Sequence, residues 1–196
     1  MLISELEYDL PEKLIAQHPA KPRDSARLLV VDRKTQEIRE DIFRNIVNYL
    51  NPGDLLVLND TRVIRARLFG KKEKSGGKVE IFLLRQFTDD VWEALVRPSS
   101  KVSVGTKVII NEQITVEILD FLGNGKRRVV FSVPNIIDYL ERIGEVPLPP
   151  YIKREHFTRE DVIRYQTIYA RYPGSVAAPT AGLHYTNRVF KKLHKK

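Results

Sequence analysis

Three short stretches of the sequence place polar and small residues at the ends of apolar segments, where α/β proteins bind their ligands. The first is QHP at positions 17–19 followed by PRDSAR at positions 22–27. Its prolines restrict the backbone, so His, Arg, Asp, Ser and Arg side chains, including Arg23, Asp24 and Arg27, are presented from a loop, an arrangement that is unfavourable unless a ligand is bound. The alternative is a capped turn that carries an exposed Asp–Arg ion pair and binds nothing.

The second stretch is NDTR at positions 59–62, which directly follows the apolar run LLVL. Asp60 can accept a hydrogen bond from a hydroxyl or an amine, and Arg62 can hold an anion through its forked guanidinium. We therefore interpret this stretch as a ligand contact. The alternative is a simple turn in which Asp60 accepts from nearby backbone amides.

The third stretch is GSVAAPTAGLHYT at positions 174–186, where nine of thirteen residues are Gly, Ser, Ala, Pro or Thr. Small side chains let the backbone approach a ligand closely. His184 and Tyr185 end the stretch just before a predicted helix, RVFKKL, whose N-cap is Thr186 or Asn187. A ligand placed there would meet free backbone amides as well as side chains. The alternative is a tight loop packed against the core.

Composition excludes several classes of protein. The chain has 196 residues, of which 42% are hydrophobic and 30% charged, as expected of a soluble globular protein. No apolar run approaches the roughly 20 residues that cross a bilayer, and the acidic N-terminus lacks a signal-peptide profile, so we expect a cytoplasmic protein. The absence of cysteine excludes disulfides and thiolate chemistry, and the four histidines show no metal-binding spacing, so no metal site is expected.

The net charge of +8 is compatible with a nucleic-acid partner. Five of the positive charges lie in the last nine residues, and without them the balance is 28 minus 25, or +3. A basic tail also serves solubility or ends a helix favourably, so charge alone leaves RNA binding open.

The order of the predicted elements indicates an α/β (α+β multidomain) fold with an inserted barrel. In the first part, residues 1–62, helices are predicted at 11–17 and 41–50 and buried strands at 27–32 and 54–59. Residues 63–134 contain six candidate strands without an intervening helix, which predicts a small antiparallel six-stranded β-barrel. Helices are predicted again at 135–143, at 159–171 and from residue 186, so residues 135–196 form the second part of a discontinuous α/β domain.

Six strings, taken in order, closely resemble the S-adenosylmethionine:tRNA ribosyltransferase-isomerases of the queuosine pathway: PRDSARLLVVDR, NPGDLLVLNDTRVIRARL, GGKVEIFLLR, GEVPLPPYIKR, YQTIYA and GSVAAPTAGLHYT. The resemblance runs from Tyr8 to Thr186. Departures are small: the family usually has Pro at the position of Arg65 and Phe at that of Tyr185. Family members continue well beyond the position of Lys196, so we expect the active site written in this chain to be incomplete.

The resemblance implies a reaction. The ribosyl part of S-adenosylmethionine is transferred to the aminomethyl group of 7-aminomethyl-7-deazaguanine at the wobble position of tRNA and rearranges, which gives epoxyqueuosine, adenine and methionine. S-adenosylmethionine is then a consumed substrate, and no metal or other cofactor is implied. The tRNA anticodon loop is the expected partner, with its target base turned out of the stack. No membrane partner is expected, and the protein is expected to be a monomer.

The resemblance also turns the three stretches into expected site residues. His184 is the candidate base for the acidic ribose C5′ proton, because histidine is the residue type whose side chain ordinarily titrates nearest working pH. Asp60, or else Asp24, is expected to move a proton for the amine or for adenine. The substrate-binding residues, which seat the methionine carboxylate, the adenine ring and the rest of the nucleoside, are expected to be Arg23, Arg27, Thr61, Arg62, Thr180, Gly182 and Tyr185.

Two other functions stay open at this stage. A catalytically incomplete chain could act as an RNA-binding module alone. A conventional S-adenosylmethionine-dependent methyltransferase is disfavoured, because no glycine-rich loop follows the first predicted strand. All three loops are expected to share one pocket if the chain is the ribosyltransferase.

Overall fold

The structure is a computed structural model that describes residues 2–154 and 157–196. Within that part of the chain the β-strands are β1 Arg27–Val31, β2 Ile38–Ile42, β3 Thr61–Val63, β4 Arg67–Lys72, β5 Lys78–Gln86, β6 Val91–Arg97, β7 Lys107–Ile109, β8 Thr115–Gly123, β9 Lys126–Phe131 and β10 Tyr172–Ser175. The α-helices are α1 Ile137–Ile143, α2 Arg159–Arg164 and α3 Asn187–Leu193. Short 3₁₀ helices cover Ile3–Leu6, Glu12–Leu14, Arg23–Ser25, Phe43–Tyr49, Ser99–Lys101 and Thr180–His184.

Contacts divide the chain into two compact units. The smaller unit comprises Met1–Asp54, Pro149–His156 and His184–Lys196, and the larger unit comprises Leu55–Leu148 and Phe157–Leu183. Residues 135–148 and 157–183 therefore group with the barrel segment, whereas the sequence had suggested joining them to the N-terminal part. No helix in the described ranges is long and apolar enough to cross a membrane.

The predicted barrel is confirmed. Six antiparallel strands of the larger unit close in the order β4-β5-β6-β9-β8-β7. Alternate residues point inward and are fully buried, as Val79, Ile81 and Leu83 of β5 illustrate with exposures of 1%, 0% and 0%. The β8–β9 turn requires left-handed backbone at Gly123, Asn124 and Gly125, whose φ angles are +80°, +48° and +76°. The GNG signal in the sequence thus identifies a real hairpin turn.

In the smaller unit the strand predicted at 27–32 is confirmed as β1, but it is not buried. β1 pairs with β2 in an antiparallel hairpin, and along β1 exposed positions alternate with half-buried ones. The helix predicted at 41–50 is wrong, because β2 runs through Ile42 and a 3₁₀ segment follows it. The helix predicted at 11–17 is reduced to the single 3₁₀ turn Glu12–Leu14.

The buried strand predicted at 54–59 is also wrong. Residues 54–60 form no strand, and Leu55 and Val57 are 88% and 81% exposed. An apolar run becomes a strand when another backbone pairs with it, and no described residue pairs with this one.

Of the three late helices, the first and last match their predictions and the middle one is shorter. A capping box joins Thr158 and Asp161 at the start of α2, yet α2 ends at Arg164 instead of residue 171. Tyr172 begins β10, so the chain is extended directly after the predicted end of this helix. Thr186 is the N-cap of α3 and accepts a hydrogen bond from the Val189 amide.

Candidate active site

The predicted site residues fall into two groups, one in each unit. Asp24, Arg23, Arg27, His184 and Tyr185 lie in the smaller unit. The larger unit contains the other five, Asp60, Thr61, Arg62, Thr180 and Gly182. A pocket shared by the two groups stays a prediction.

Asp24 is the centre of a buried polar cluster in the smaller unit. Its side chain is 0% exposed and accepts hydrogen bonds from Thr186 Oγ1, at 2.7 Å, and from two nitrogens of the Arg188 guanidinium. Hydrogen bonds from Arg188 lower the pKa of Asp24 from 3.8 to about 2, although burial opposes the shift. Asp24 is therefore ionised at neutral pH, and its lone pairs already serve three donors that belong to the chain.

His184 and Tyr185 surround the ring of Phe43. The ring centroids of His184 and Phe43 are 5.2 Å apart, and Tyr185 packs edge-on against Phe43 at 5.0 Å and stacks on Phe190 at 5.1 Å. Tyr185 is 8% exposed, and burial raises the pKa of its hydroxyl, so it is neutral at working pH. His184 is half-buried and forms no hydrogen bond with the described part of the chain, so its imidazole nitrogens are available to a ligand.

A second cluster of the smaller unit joins the QHP segment to the segment after PLPP. The Gln17 side chain donates to the Tyr151 carbonyl at 3.0 Å and accepts from the Lys153 amide at 2.8 Å. Arg154 donates to the Gln17 carbonyl and lies 3.4 Å from His18 Nδ1. A cleft of about 500 Å³ adjoins Gln17 and Tyr151. The sequence singled out the QHP segment but gave no sign that it meets the segment after PLPP.

Arg23 and Arg27 differ in their surroundings. Arg27 is exposed and pairs with Glu40 across the β1–β2 hairpin, with its Nη2 2.7 Å from Glu40 Oε1. Arg23 is half-buried and lies in the same 3₁₀ turn as Asp24. An exposed pair such as Arg27–Glu40 contributes little stability, so a ligand anion can displace the carboxylate at small cost.

In the larger unit a short parallel pairing holds Asp60, Thr61 and Arg62. β3 pairs with β10, so Thr61 lies opposite Tyr172. The Asp60 carbonyl accepts from the backbone amides of Arg171 and Tyr172, at 2.7 and 3.3 Å. The Asp60 carboxylate has no hydrogen bond or ion pair with any described residue.

Arg62 already has a carboxylate partner. Its Nη2 lies 3.0 Å from Oε1 of Glu141 on α1, and the two side chains are 52% and 56% exposed. Arg65 binds the same residue, donating to the Glu141 carbonyl at 2.6 Å. Because the pair is exposed, the guanidinium of Arg62 can exchange this partner for a substrate carboxylate.

Packing requires a glycine at one position of the stretch at 174–186. A Cβ added to Gly182 would lie 2.3 Å from the Tyr169 hydroxyl and 3.0 Å from Thr167 Cγ2. Gly182 therefore lets these side chains approach the backbone, which supports the packing interpretation at this residue. Thr180, two residues earlier, is exposed.

Sequence reasoning missed two residues beside the Asp60 loop. Arg171 and Tyr172 form a cation–π pair, with the guanidinium 5.2 Å from the ring centroid, and Tyr172 is 55% exposed. Arg171 had been assigned to the end of the helix predicted at 159–171, and Tyr172 follows it directly. The Pro-Gly pair at positions 173–174 was the available signal that the chain leaves helical geometry there. No group of three or more His, Asp and Glu side chains in the described residues is arranged to bind a metal ion.

Comparison with known proteins gives a consistent family. A sequence profile of the family described as "Queuosine biosynthesis protein" matches residues 3–196. The chain is similar to the protein named S-adenosylmethionine:tRNA ribosyltransferase-isomerase of Halothermothrix orenii, with 51% identity over 98% of this chain and 56% of that protein. It is similarly related to the protein of that name from Thermosipho africanus, with 52% identity over 100% of this chain and 57% of the relative.

A solved structure is also similar in sequence. The crystal structure of S-adenosylmethionine tRNA ribosyltransferase from Thermotoga maritima is 36% identical, with 98% of this chain and 54% of that chain covered and a TM-score of 0.38. The chain thus spans little more than half the length of the relatives that it matches.

Proposed function

Because the chain belongs to the family of queuosine biosynthesis proteins, we propose that it provides part of the active site of an S-adenosylmethionine:tRNA ribosyltransferase-isomerase. The reaction transfers and isomerises the ribosyl group of S-adenosylmethionine onto 7-aminomethyl-7-deazaguanine in the tRNA anticodon loop. The products are epoxyqueuosine in tRNA, adenine and methionine. One observation carries the proposal: half of the residues, over essentially the whole chain, are identical to those of relatives with that name.

His184 acts as the base in this proposal. The sulfonium group acidifies the ribose C5′ protons, so a neutral imidazole is basic enough to remove one. Two observations support the role. The imidazole ring of His184 packs against Phe43, and its nitrogens form no hydrogen bond with any described residue. A base must be oriented by the protein and yet free toward the substrate, and His184 meets both requirements.

Of the two candidate carboxylates, Asp60 is better suited to move a proton. The attacking amine loses a proton when the new C–N bond forms, and the departing adenine ring gains one, so one carboxylate can serve either step. Asp60 has no bonded partner among the described side chains. Asp24 is instead occupied by Thr186 and Arg188 and holds the start of α3 in place, which makes it a positioning residue.

Arg62 seats the methionine carboxylate, and Tyr172, which is 55% exposed, offers aromatic surface to adenine or to the sulfonium. Tyr185 is 8% exposed and packs on Phe43 and Phe190, so it acts as a positioning residue for the adjacent His184. Arg23, Arg27, Thr61 and Thr180 remain proposed contacts of the nucleoside. S-adenosylmethionine is consumed as a substrate. We expect the active protein to be a cytoplasmic monomer.

The test is release of adenine from S-adenosylmethionine in the presence of an anticodon stem-loop that contains 7-aminomethyl-7-deazaguanine. His184→Gln should lower turnover by at least about 100-fold, since general base catalysis contributes that much or more, while S-adenosylmethionine still binds. His194→Gln, an exposed histidine on the last turn, is the matched control and should leave turnover unchanged.

Three outcomes contradict parts of the proposal. Near-normal turnover of His184→Gln would refute the base assignment. RNA binding by the wild-type chain without any adenine release would favour the binding-module function. Formation of S-adenosylhomocysteine would show methyl transfer and would support the methyltransferase function instead.

A further inference from the structure

The mouth of the barrel contains a cleft that the proposed reaction does not use. Its volume is about 760 Å³, within the range of pockets that bind small ligands. We call it the barrel-mouth cleft. The lining residues are Ser99, Ser100, Lys101, Val102, Ser103, Phe121 and Arg127. Two cations and three hydroxyls line it, and no carboxylate does among the described residues.

Arg127 is the unusual member of this set. It is 7% exposed, and its guanidinium forms no ion pair with any described carboxylate. Its terminal nitrogens donate to the Lys126 carbonyl and to the carbonyl and hydroxyl of Ser99, while its Nε is buried without a partner. A buried cation that lacks a counter-ion is unfavourable, so this site favours an anion from outside the chain.

Phe121 adds a flat apolar surface to the cleft. It lies opposite Arg127 in the β8–β9 pairing, and the guanidinium carbon is 4.1 Å from its ring centroid. Phe121 nevertheless stays 50% exposed, so the ring can take a second planar partner. An aromatic ring stacked on arginine beside a cationic surface is a typical platform for an unpaired nucleobase.

Lys101 completes the anion site. It is exposed, and its ammonium pairs with no described carboxylate. Lys72 donates to the Lys101 carbonyl, which fixes the turn that carries the lysine. Ser100 lies on the same 3₁₀ turn and Ser103 follows it by two residues beyond Lys101, and both hydroxyls line the cleft, where they can donate to phosphate oxygens.

From these contacts we infer that the barrel-mouth cleft is a second RNA contact, which binds one or two unpaired nucleotides with phosphate on Lys101 and Arg127 and a base on Phe121. The inference rests on the proposed function for its choice of RNA, since the same chemistry would accept other nucleotides. It places an RNA contact outside the two groups of predicted site residues.

The test is binding of the 196-residue chain to a fluorescent anticodon stem-loop, measured by anisotropy over a series of salt concentrations. Lys101→Gln should weaken binding about three- to fivefold and reduce the slope of log affinity against log salt by about 1. Phe121→Leu should weaken binding about tenfold, because stacking of one base is lost.

Each variant has a matched control in the same barrel. Phe69→Leu removes a phenylalanine of the same exposure, 49% against 50%, from β4. Lys74→Gln removes an exposed lysine of the β4–β5 turn. Both controls should bind RNA as the wild type does. Arg127→Gln is tested as well, with the fluorescence of Trp92 as the check that the barrel still folds.

Several results would overturn the inference: no RNA binding by the wild-type chain, equal losses in the cleft variants and their controls, or competition by poly-glutamate as strong as that by unlabelled RNA. Adenine release by the same proteins separates the two proposals. RNA affinity that depends on the cleft without adenine release contradicts the proposed function alone. Adenine release with an unchanged KM for RNA in the cleft variants contradicts the inference alone.

Discussion

The barrel and the smaller unit bury their side chains to very different degrees. Inward residues of the barrel strands, such as Ile81 and Leu83, are fully buried. On the β1–β2 hairpin, by contrast, Leu29, Val31 and Ile38 are 62%, 54% and 65% exposed. A closed barrel pairs every strand on both sides, whereas an isolated two-stranded hairpin is marginal in water.

The difference shows where each region gets its stability. The barrel depends on a continuous apolar core. The smaller unit depends on contacts between segments far apart in sequence, chiefly the rings of Phe43 and Tyr185 and the bonds of Asp24 with Thr186 and Arg188. We therefore expect the smaller unit to open at a lower free energy than the barrel.

The largest predicted effect tests this comparison with two leucines on strands. Leu68→Ala should lower the free energy of unfolding of the barrel by about 3 kcal/mol, since Leu68 is 0% exposed and its removal leaves a cavity. Leu29→Ala should cost less than about 0.5 kcal/mol. Urea titration followed by Trp92 fluorescence reports on the barrel, and hydrogen exchange of the β1 amides reports on the hairpin. Equal losses of unfolding free energy in the two variants would contradict the expected difference between the barrel and the smaller unit.

The same contrast explains what could be predicted from sequence. The barrel strands follow from alternation and turn residues, as in KVEIFLLRQF and the GNG turn, and this information is local. The run LLVL reads as a buried strand for the same local reason, but burial depends on a partner that local sequence does not specify. Leu55 at 88% exposure shows the limit of the rule.

The candidate site shows a similar division. The PRDSAR and NDTR stretches were recognisable as polar loops, yet Asp24 meets Thr186 across a separation of 162 residues. No periodicity encodes such a contact. The capping box at the start of α2 is a local signal and could be read from sequence. The end of α2 at Arg164 could not, because the pairing of β10 with β3 overrides the helical pattern that runs on to residue 171.

The next effect tests tight packing outside the barrel. Gly182→Ala should destabilise the larger unit by about 2 kcal/mol, because the added methyl group overlaps the Tyr169 hydroxyl. Tyr169→Phe in the same chain should restore part of the loss by removing that hydroxyl. Thermal denaturation of the two single variants and the double variant gives the coupling free energy between positions 169 and 182. Ala181→Ser, at an exposed neighbour, is the control, and a fully tolerated Gly182→Ala would show that the glycine is not needed for packing.

A smaller effect concerns the ion pair between buried Asp24 and half-exposed Arg188 in the smaller unit. Asp24→Asn should lower its stability at pH 7 by about 1 to 2 kcal/mol, a value discounted because Arg188 is half exposed to solvent. The folded pKa of Asp24, about 2, lies below the ordinary 3.8, so the stabilisation is present above that ordinary value and is lost as the pH falls from about 4 to about 2. The Asn variant should lack this part of the acid dependence.

Urea titration at pH 7 and at pH 3, followed by the amide NMR signals of α3, measures both quantities. Asp9→Asn removes an exposed carboxylate of the same unit and is the control. A variant that loses stability equally at both pH values would show that Asp24 acts through packing and not through its charge.

The smallest effect on stability concerns the exposed ion pair of the larger unit. Glu141→Gln should change the free energy of unfolding by less than about 0.5 kcal/mol, because both side chains of the Arg62–Glu141 pair are more than half exposed. Its effect should appear in binding: a released Arg62 guanidinium is more available to the methionine carboxylate, so the KM for S-adenosylmethionine should fall. Glu112→Gln, in an exposed loop, should change neither quantity. If Glu141→Gln instead raised KM, the pair would orient Arg62 for the substrate rather than compete for it, and an exposed ion pair would carry a positioning role here.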